Sequence, residues 1–299
     1  MSDGPQPAIV ASRRVVLGGR DQRLVIEPAC LELSGGHIAS VHRIDAEHYL
    51  DRPPELALQR SATLIDYGDR LITPAFVNAH THLALGFLRG ADLRLAGNTN
   101  MVEEFFFRIE TALEPADVRA FVRMGAYESL LSGVGLVWDH YYRGIEVAAA
   151  LMEVGLTGVV APTLQDIAGP GMERWERELE ATVRIDDSSP LRERGIFAAL
   201  GPHATDTVSE GLFLRALELA EVRNLPMHTH LAQSIEEHAR ACERYGCSPV
   251  EWLERIGVLQ RAPRGLWAHA LFASRADLKR LDRARHNLVF CPYSQLVFG

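Results

Sequence analysis

The sequence predicts an α/β fold, in which a TIM-type (β/α)8 barrel follows the N-terminal part of a small β-sandwich. From about Arg70 onward, short apolar β-type runs alternate with helical patterns, which is typical of βα units around a parallel sheet. Seven runs fit strands: LITPAFV (71–77), VGLVW (134–138), TGVVAPT (157–163), IFAAL (196–200), LPMHTHL (225–231), GLWAHA (265–270) and NLVFC (287–291). An open barrel would leave a parallel strand edge unpaired. We therefore expect an eighth strand beyond the end of this chain.

The segments between these runs carry helix signals. Apolar residues at 118, 121, 122, 126 and 130, followed by Gly133, predict one amphipathic helix that ends near that glycine. Ser234, Ser248 and Ser274 each precede an acidic residue by three positions, the pattern of a capped helix start.

Residues 1–65 differ from the rest of the chain. They hold the short β runs VVLGG, LVIEP, ACLELSGGHIASVHRI and ATLIDYG, broken by Gly-Gly and Pro-Pro pairs. We predict that residues 1–65 form a small antiparallel β domain, part of a β-sandwich, and that residues 66–299 form the barrel.

Composition excludes several classes of partner. The net charge of -8 disfavours nucleic acid and anionic membranes, since both require a basic face. The sequence has no apolar run of 18 residues and no signal-peptide pattern. Its four cysteines lack C-x-x-C spacing, which favours a reducing cytoplasm. A cytoplasmic location follows as a prediction.

Two His-Thr-His tripeptides suggest a metal site. His80 and His82 directly follow the first predicted barrel strand, and His228 and His230 end the fifth. Active sites of such barrels lie at the carboxyl ends of the strands, and residues two apart on a strand face the same way. Imidazole is a good ligand for zinc and iron. Histidines that merely pack are the competing interpretation.

The two histidines of the second pair lie at different depths. His230 is nearer the barrel mouth and is the better ligand, whereas His228 fits a hydrogen-bonded interior histidine. His203 and His269 follow the fourth and sixth strands. A histidine at four of seven strand ends favours a functional site.

These motifs resemble the amidohydrolase superfamily. The segments LITPAFVNAHTHL, VWDHYY, LGPHATDT, HTHLAQSIEEH, LWAHALF and CPYSQL are most similar to the branch of chlorotriazine hydrolases, guanine deaminase and methylthioadenosine/S-adenosylhomocysteine deaminases. The resemblance implies that His80, His82 and His230 bind a metal ion. It also implies that His269 acts in catalysis, by polarising the substrate or by stabilising the developing oxyanion, and that His203 binds substrate.

The resemblance also implies one divalent ion, Zn²⁺ or alternatively Fe²⁺. Members with two metals bridge them by a carboxylated lysine after strand four, and the single lysine here, Lys279, lies elsewhere. The usual fourth ligand is an aspartate after strand eight, which we expect beyond Gly299. Ala75 replaces a usual glycine, a minor difference.

Gln233 is the more serious departure. Deaminases of this branch have a glutamate at this position to carry a proton to the substrate. An amide has no ionisable proton, so Gln233 cannot do the same, although it occupies the catalytic position. Glu236 and Glu237 lie nearby, but in the predicted first turn of a helix, where carboxylates commonly stabilise the helix dipole.

The predicted function is that of a metal-dependent hydrolase acting on a C–N or C–halogen bond of a small cyclic amidine, amide or heteroaromatic compound. A metal-bound hydroxide would attack the electrophilic carbon. The alternatives are a non-catalytic binding or scaffold relative and an inactive truncated fragment. A homodimer is also expected, as is frequent in the family.

The FFF run at 105–107 fits either the pocket mouth or a helix packed on the barrel.

Overall fold

The computed structural model describes residues 7–18, 23–91, 102–292 and 296. It divides into two compact units, Met1–Ala75 and Phe76–Gly299. This boundary lies later than the predicted one at 65/66, because β5 (Leu71–Ile72) pairs with the first strand of the N-terminal unit.

The N-terminal unit is a mixed β-sheet with one helix. Its strands are β1 (Ala8–Gly18), β2 (Leu24–Ser34), β3 (His37–Arg43), β4 (Thr63–Asp66) and β5. The β1–β2 and β2–β3 pairs are antiparallel as predicted, but β4 and β5 run parallel to β1. The expectation of a purely antiparallel domain is therefore wrong. The cause is helix α1 (Arg52–Arg60), which carries the chain back across the sheet before β4.

Apolar side chains pack on both faces of this sheet. One cluster joins the sheet to α1 and its preceding turn and consists of Ile9, Ala11, Cys30, Ile44, Tyr49, Leu56 and Ala57. A second cluster is centred on Val15, Ala29 and Leu31. The alternation of side chains along β1 and β2 thus supplies two apolar faces.

The second unit contains parallel strands in chain order. They are β6 (Phe76–Thr81), β7 (Val134–Tyr141), β8 (Thr157–Leu164), β9 (Ile196–Ala198), β10 (Gly201–Pro202), β11 (Met227–Leu231), β12 (Gly265–His269) and β13 (His286–Val289). Pairing runs β6–β7–β8–β10 and β11–β12–β13. A bridge between Leu200 and Met227 joins the two sets. The predicted fourth strand, 196–200, corresponds to β9, and the short strand β10 follows it directly; both pair with β8.

Helices connect these strands. They are α2 (Phe107–Glu110), α3 (Pro115–Leu131), α4 (Gly144–Val154), α5 (Trp175–Asp187), α6 (Ser189–Glu193), α7 (Glu210–Arg223), α8 (Ile235–Tyr245), α9 (Pro249–Arg255), α10 (Val258–Arg261) and α11 (Arg275–Arg280). The three predicted caps are confirmed: Ser234, Ser248 and Ser274 each accept a hydrogen bond from the peptide N–H three residues on. The helix predicted to end near Gly133 is α3.

Between β6 and α3 the chain forms a 3-10 helix, Leu83–Leu88, and a π-helical turn, Val102–Phe106. In the part of the chain that the structure describes, no helix is both long and apolar enough to cross a bilayer.

Gly125 allows α3 to approach the backbone that follows β6. A Cβ at this position would lie 2.5 Å from the carbonyl oxygen of Leu83. Gly125→Ala should therefore destabilise the protein by about 1–3 kcal/mol, because a backbone atom must shift. Urea unfolding measures the change.

Gly211→Ala in α7 is the matched control, because its nearest neighbour would lie 3.8 Å away. Alanine there should stabilise by about 0.5–1 kcal/mol, since it is the better helix former. Equal free energies of unfolding for the two variants would contradict the steric argument.

Candidate metal centre

Histidines from two strands converge at the carboxyl ends of the parallel sheet. β6 supplies His80 and, just past its last residue, His82, whereas β11 supplies His230. Donor nitrogens of these three rings all lie within 4.8 Å of one another. The structure thus brings together the three residues predicted as metal ligands.

Hydrogen bonds at Nδ1 decide which nitrogen of two of these rings carries the proton. The Nδ1 of His82 hydrogen-bonds to the carbonyl oxygen of His140, and the Nδ1 of His230 lies 2.8 Å from the carbonyl oxygen of His203. A carbonyl only accepts, so both Nδ1 atoms donate. Burial lowers the pKa of both imidazoles, which favours neutral rings. Each Nε2 then presents a lone pair.

The Nε2 atoms of His82 and His230 face each other at 3.2 Å. With both protons on Nδ1, no proton lies between these two lone pairs, and they repel. A cation bonded to both removes the repulsion. Two nitrogens bonded at about 2.0–2.1 Å to one tetrahedral ion would be roughly 3.4 Å apart. The donor set therefore fits a zinc-type ion.

His228 orients the third ring. Its Nε2 lies 2.8 Å from the Nδ1 of His80, and His228 is fully buried. The contact confirms the expectation that His228 is a hydrogen-bonded interior histidine. When His80 donates through Nδ1, its own Nε2 is left free for an ion.

A second donor set shares His80. It consists of His80, His269 and the thiol of Cys291, whose donor atoms also lie within 4.8 Å of one another. Burial raises the pKa of the Cys291 thiol, and the Nδ1 of His269 has no hydrogen-bond partner among the described residues. The first set is better supported, because a hydrogen bond orients each of its rings.

The other predicted site residues surround the same cavity, which has a volume of about 260 Å³. His203, Gln233 and His269 all line it, together with the three convergent histidines. The Nδ1 of His203 lies 2.8 Å from the Thr207 hydroxyl. The structure thus gathers every predicted site residue around one cavity.

Backbone strain accompanies the site at the ends of β11 and β12. Ala232, His269 and Ala270 have φ angles of 47°, 77° and 54°, in the left-handed region that non-glycine residues rarely adopt. Hydrogen bonds from Ala270 N–H to Leu231 and from Phe272 N–H to Ala232 hold the two strand ends in this conformation. Such strain is commonly concentrated at functional sites.

Neither acid near Gln233 in sequence reaches the cavity. Glu236 is exposed, and Glu237 is buried with its carboxylate accepting from the Thr205 hydroxyl at 2.6 Å and from the Gln233 N–H at 2.8 Å. Glu237 therefore positions Gln233 and is not among the cavity-lining residues.

Several cavity residues carried no role in the sequence-based prediction. His140 lines the wall, with Nδ1 2.9 Å from the Thr163 hydroxyl and Nε2 without a partner in the described part of the chain. The VWDHYY motif could have identified it, because it follows the second barrel strand. Glu110, Tyr142 and Cys291 also line the wall, but no strand-end signal marks Glu110.

The aromatic run at 105–107 contributes to the cavity wall through Phe106 and Phe107. In the CPYSQL motif, Cys291 lines the cavity, whereas residues 293–295 lie outside the described residues.

A separate cavity of about 330 Å³ opens near the starts of β9, β11 and β12. No histidine is among its described lining residues, so it offers no imidazole donor.

Sequence comparison identifies relatives. A 5'-deoxyadenosine deaminase of Methanothrix thermoacetophila is 34% identical over 242 residues, which cover 78% of this chain and 54% of that protein. The chain thus spans about half the length of this relative.

Solved structures share the fold. Guanine deaminase from C. acetobutylicum, solved with guanine in its active site, matches with a TM-score of 0.79 at 18% identity, covering 97% of this chain and 68% of that one. A zinc-bound adenosine deaminase from Xanthomonas campestris matches with a TM-score of 0.76 at 21% identity, covering 98% and 64%.

The sequence pattern of the amidohydrolase family matches residues 71–299, which include every histidine of the candidate site. The family predicted from the histidine motifs is therefore confirmed, and this chain belongs to the amidohydrolase family.

Proposed function

We propose that the protein is a metal-dependent hydrolase that cleaves a C–N or C–halogen bond of a small cyclic amidine, amide or heteroaromatic compound. One observation carries the proposal: two imidazole Nε2 lone pairs face each other at 3.2 Å beside a cavity of about 260 Å³. Family membership and the similarity to a deoxyadenosine deaminase support the same reaction class.

His80, His82 and His230 would hold one divalent ion, with zinc favoured and ferrous iron as the alternative. When bound, such an ion acts as a Lewis acid and lowers the pKa of a coordinated water towards about 7. The chain's own contribution is to fix the three rings by the hydrogen bonds at their Nδ1 atoms. Fixed ligands keep the reacting centre in one place relative to the cavity.

Three further residues act on the substrate in this proposal. The His269 ring stacks on that of His230, with centroids 5.6 Å apart, and its Nδ1 is free among the described residues to donate to a developing oxyanion. His203 contacts the substrate. The Gln233 amide can donate and accept hydrogen bonds but cannot deliver a proton.

The aromatic wall favours a planar substrate. Phe106, Phe107, Tyr141 and Tyr142 all line the cavity. Flat side chains of this kind pack against both faces of a heteroaromatic ring and exclude water from it. A purine, pterin or triazine ring has the required shape.

Further parts of the proposal concern the whole protein. The parallel strands in chain order support a complete (β/α)8 barrel, and the N-terminal sheet supports part of a β-sandwich. The unpaired cysteines support a cytoplasmic location. We also propose that the protein acts on a small-molecule partner and forms a homodimer.

Metal content tests the ligand assignment. The purified protein should contain about one equivalent of zinc or iron, and His82→Ala and His230→Ala should each remove most of it, because each change deletes one of three imidazole donors. Elemental mass spectrometry measures the ion. His48→Ala is the control, since this side chain is 68% exposed in the N-terminal unit. Equal metal content in all three variants would refute the assignment.

His228→Ala tests the support of His80. Loss of the partner 2.8 Å from the His80 Nδ1 should weaken metal affinity about 10–100-fold, as is usual when the group orienting a ligand is removed. Competition with a chromophoric chelator gives the dissociation constant. An unchanged constant would mean that His80 needs no orienting partner or is not a ligand.

His269→Ala tests the role of that ring. On a substrate that the wild type hydrolyses, kcat should fall about 10²–10³-fold through loss of one oxyanion donor. Zinc content should stay at the wild-type level. A kcat equal to that of the wild type would contradict the role of His269 in catalysis. A loss of zinc in parallel with activity would mean that His269 also supports metal binding.

A further inference from the structure

Hydrolysis of a C–N bond that releases an amine needs a proton donor, and the Gln233 amide cannot act as one. When an amino group leaves a ring carbon, its nitrogen must gain a proton, because the unprotonated anion NH2− is too poor a leaving group in water. Positioned acid–base groups contribute about 10²–10⁴-fold to such steps. A second acid in the cavity would supply this function.

Glu110 is the one carboxyl group among the described residues that line the cavity. It is the last residue of α2 (Phe107–Glu110), and its side chain is partly buried. It shares the wall with the histidine cluster, Gln233 and the aromatic side chains. A ring held in this cavity would therefore have the metal ligands and Glu110 within the same enclosure.

The segment that carries Glu110 is anchored on both sides. On one side, Arg240 of α8 pairs with Glu103 and, at 3.1 Å, with Asp206. On the other side, the Arg143 guanidinium donates to the carbonyl of Leu113 at 2.6 Å. Phe107 packs edge-on against His203, with ring centroids 5.8 Å apart. These contacts position α2 against the cavity without using Glu110 itself.

We propose that Glu110 is a catalytic residue that takes over proton transfer to the leaving amine from the position occupied by Gln233. This inference rests on the proposed hydrolase function. It accounts for an otherwise unexplained acid in the cavity wall and deepens the proposed function by naming the proton donor for a leaving amine.

The step balances without a further reactant. Water adds through its oxygen to the ring carbon that bears the amino group, and the C–N bond breaks. Protonated Glu110 gives its proton to the substrate nitrogen, and the amine leaves as ammonia. Glu110 then regains a proton that originated from the attacking water, and the oxygen remains on the ring carbon as the product hydroxyl or its carbonyl tautomer.

The electrostatic surroundings of Glu110 suit this role. Burial raises its pKa to about 7, and interaction with the Tyr141 hydroxyl offsets part of that increase. Tyr142, directly after β7, interacts electrostatically with the same carboxyl. Burial raises the pKa of both tyrosines, and the charge of Glu110 raises it further. The other titratable groups that line the cavity are the histidines and Cys291. An acid whose pKa lies near the working pH is the most effective proton donor.

The test uses the zinc-loaded protein, expressed from its complete natural reading frame, with aminopurine, aminotriazine and chlorotriazine substrates. Glu110→Gln should lower kcat/KM for amine substrates about 10²–10⁴-fold. The loss on chloride substrates should be much smaller, because chloride leaves without a proton. Zinc content should not change. Glu104→Gln, an exposed position on the same segment, should behave as wild type.

Two readouts separate a catalytic from a structural role. Wild-type activity on amines should decline as the pH rises above about 7, because the active form of Glu110 is protonated, and this alkaline limb should vanish in Glu110→Gln. Adding Gln233→Glu to the Glu110→Gln variant should raise its kcat/KM for amine substrates at least tenfold, since it returns an acid to the same cavity.

Equal losses on amine and chloride substrates, an unchanged pH profile or absence of rescue would overturn the role of Glu110 while leaving the hydrolase function intact. Wild-type activity in Glu110→Gln would do the same. If the wild type, fully loaded with zinc, hydrolyses none of these substrates, the heteroaromatic part of the proposed function fails, and the role of Glu110 falls with it.

Discussion

The hydrogen bonds from ligand Nδ1 atoms to backbone carbonyls are the constraint on which the candidate site depends. His82, after β6, bonds to the carbonyl of His140 on the adjacent strand β7. His230, on β11, bonds to the carbonyl of His203, which follows the adjacent β10. Each ring is therefore held by the backbone of a neighbouring parallel strand. The register of the sheet thus determines which nitrogen faces the centre, and no separate side chain is needed for these two ligands.

The loop after β6 is also held in place by a hydrogen bond to its backbone. The buried carboxylate of Asp139 accepts the Leu83 N–H at 2.7 Å, directly after His82. The missing side chain of Gly125 leaves room for the Leu83 carbonyl. An acid on β7 and a glycine on α3 thus position the chain that carries two ligands. Their effect on chemistry is indirect, because neither residue is among those that line the cavity.

Much of the site could be predicted from sequence because its residues follow recognisable strands. His80, His82, His203, His230 and His269 each end an apolar run, and strand ends of such folds meet at one face. Glu110 could not be predicted, because it ends a short helix between β6 and α3 where no periodic pattern fixes its direction. The mixed N-terminal sheet was likewise missed, since pairing partners of short β runs depend on tertiary packing more than on local pattern.

Zinc K-edge X-ray absorption spectroscopy on the zinc-loaded protein tests the central claim most directly, because it distinguishes the two donor sets that share His80. Ligation by His80, His82 and His230 predicts a first shell of nitrogen or oxygen scatterers alone, at about 2.0–2.1 Å, with the outer-shell signature of imidazole. A sulfur scatterer at about 2.3 Å would place the ion on Cys291 and contradict the account.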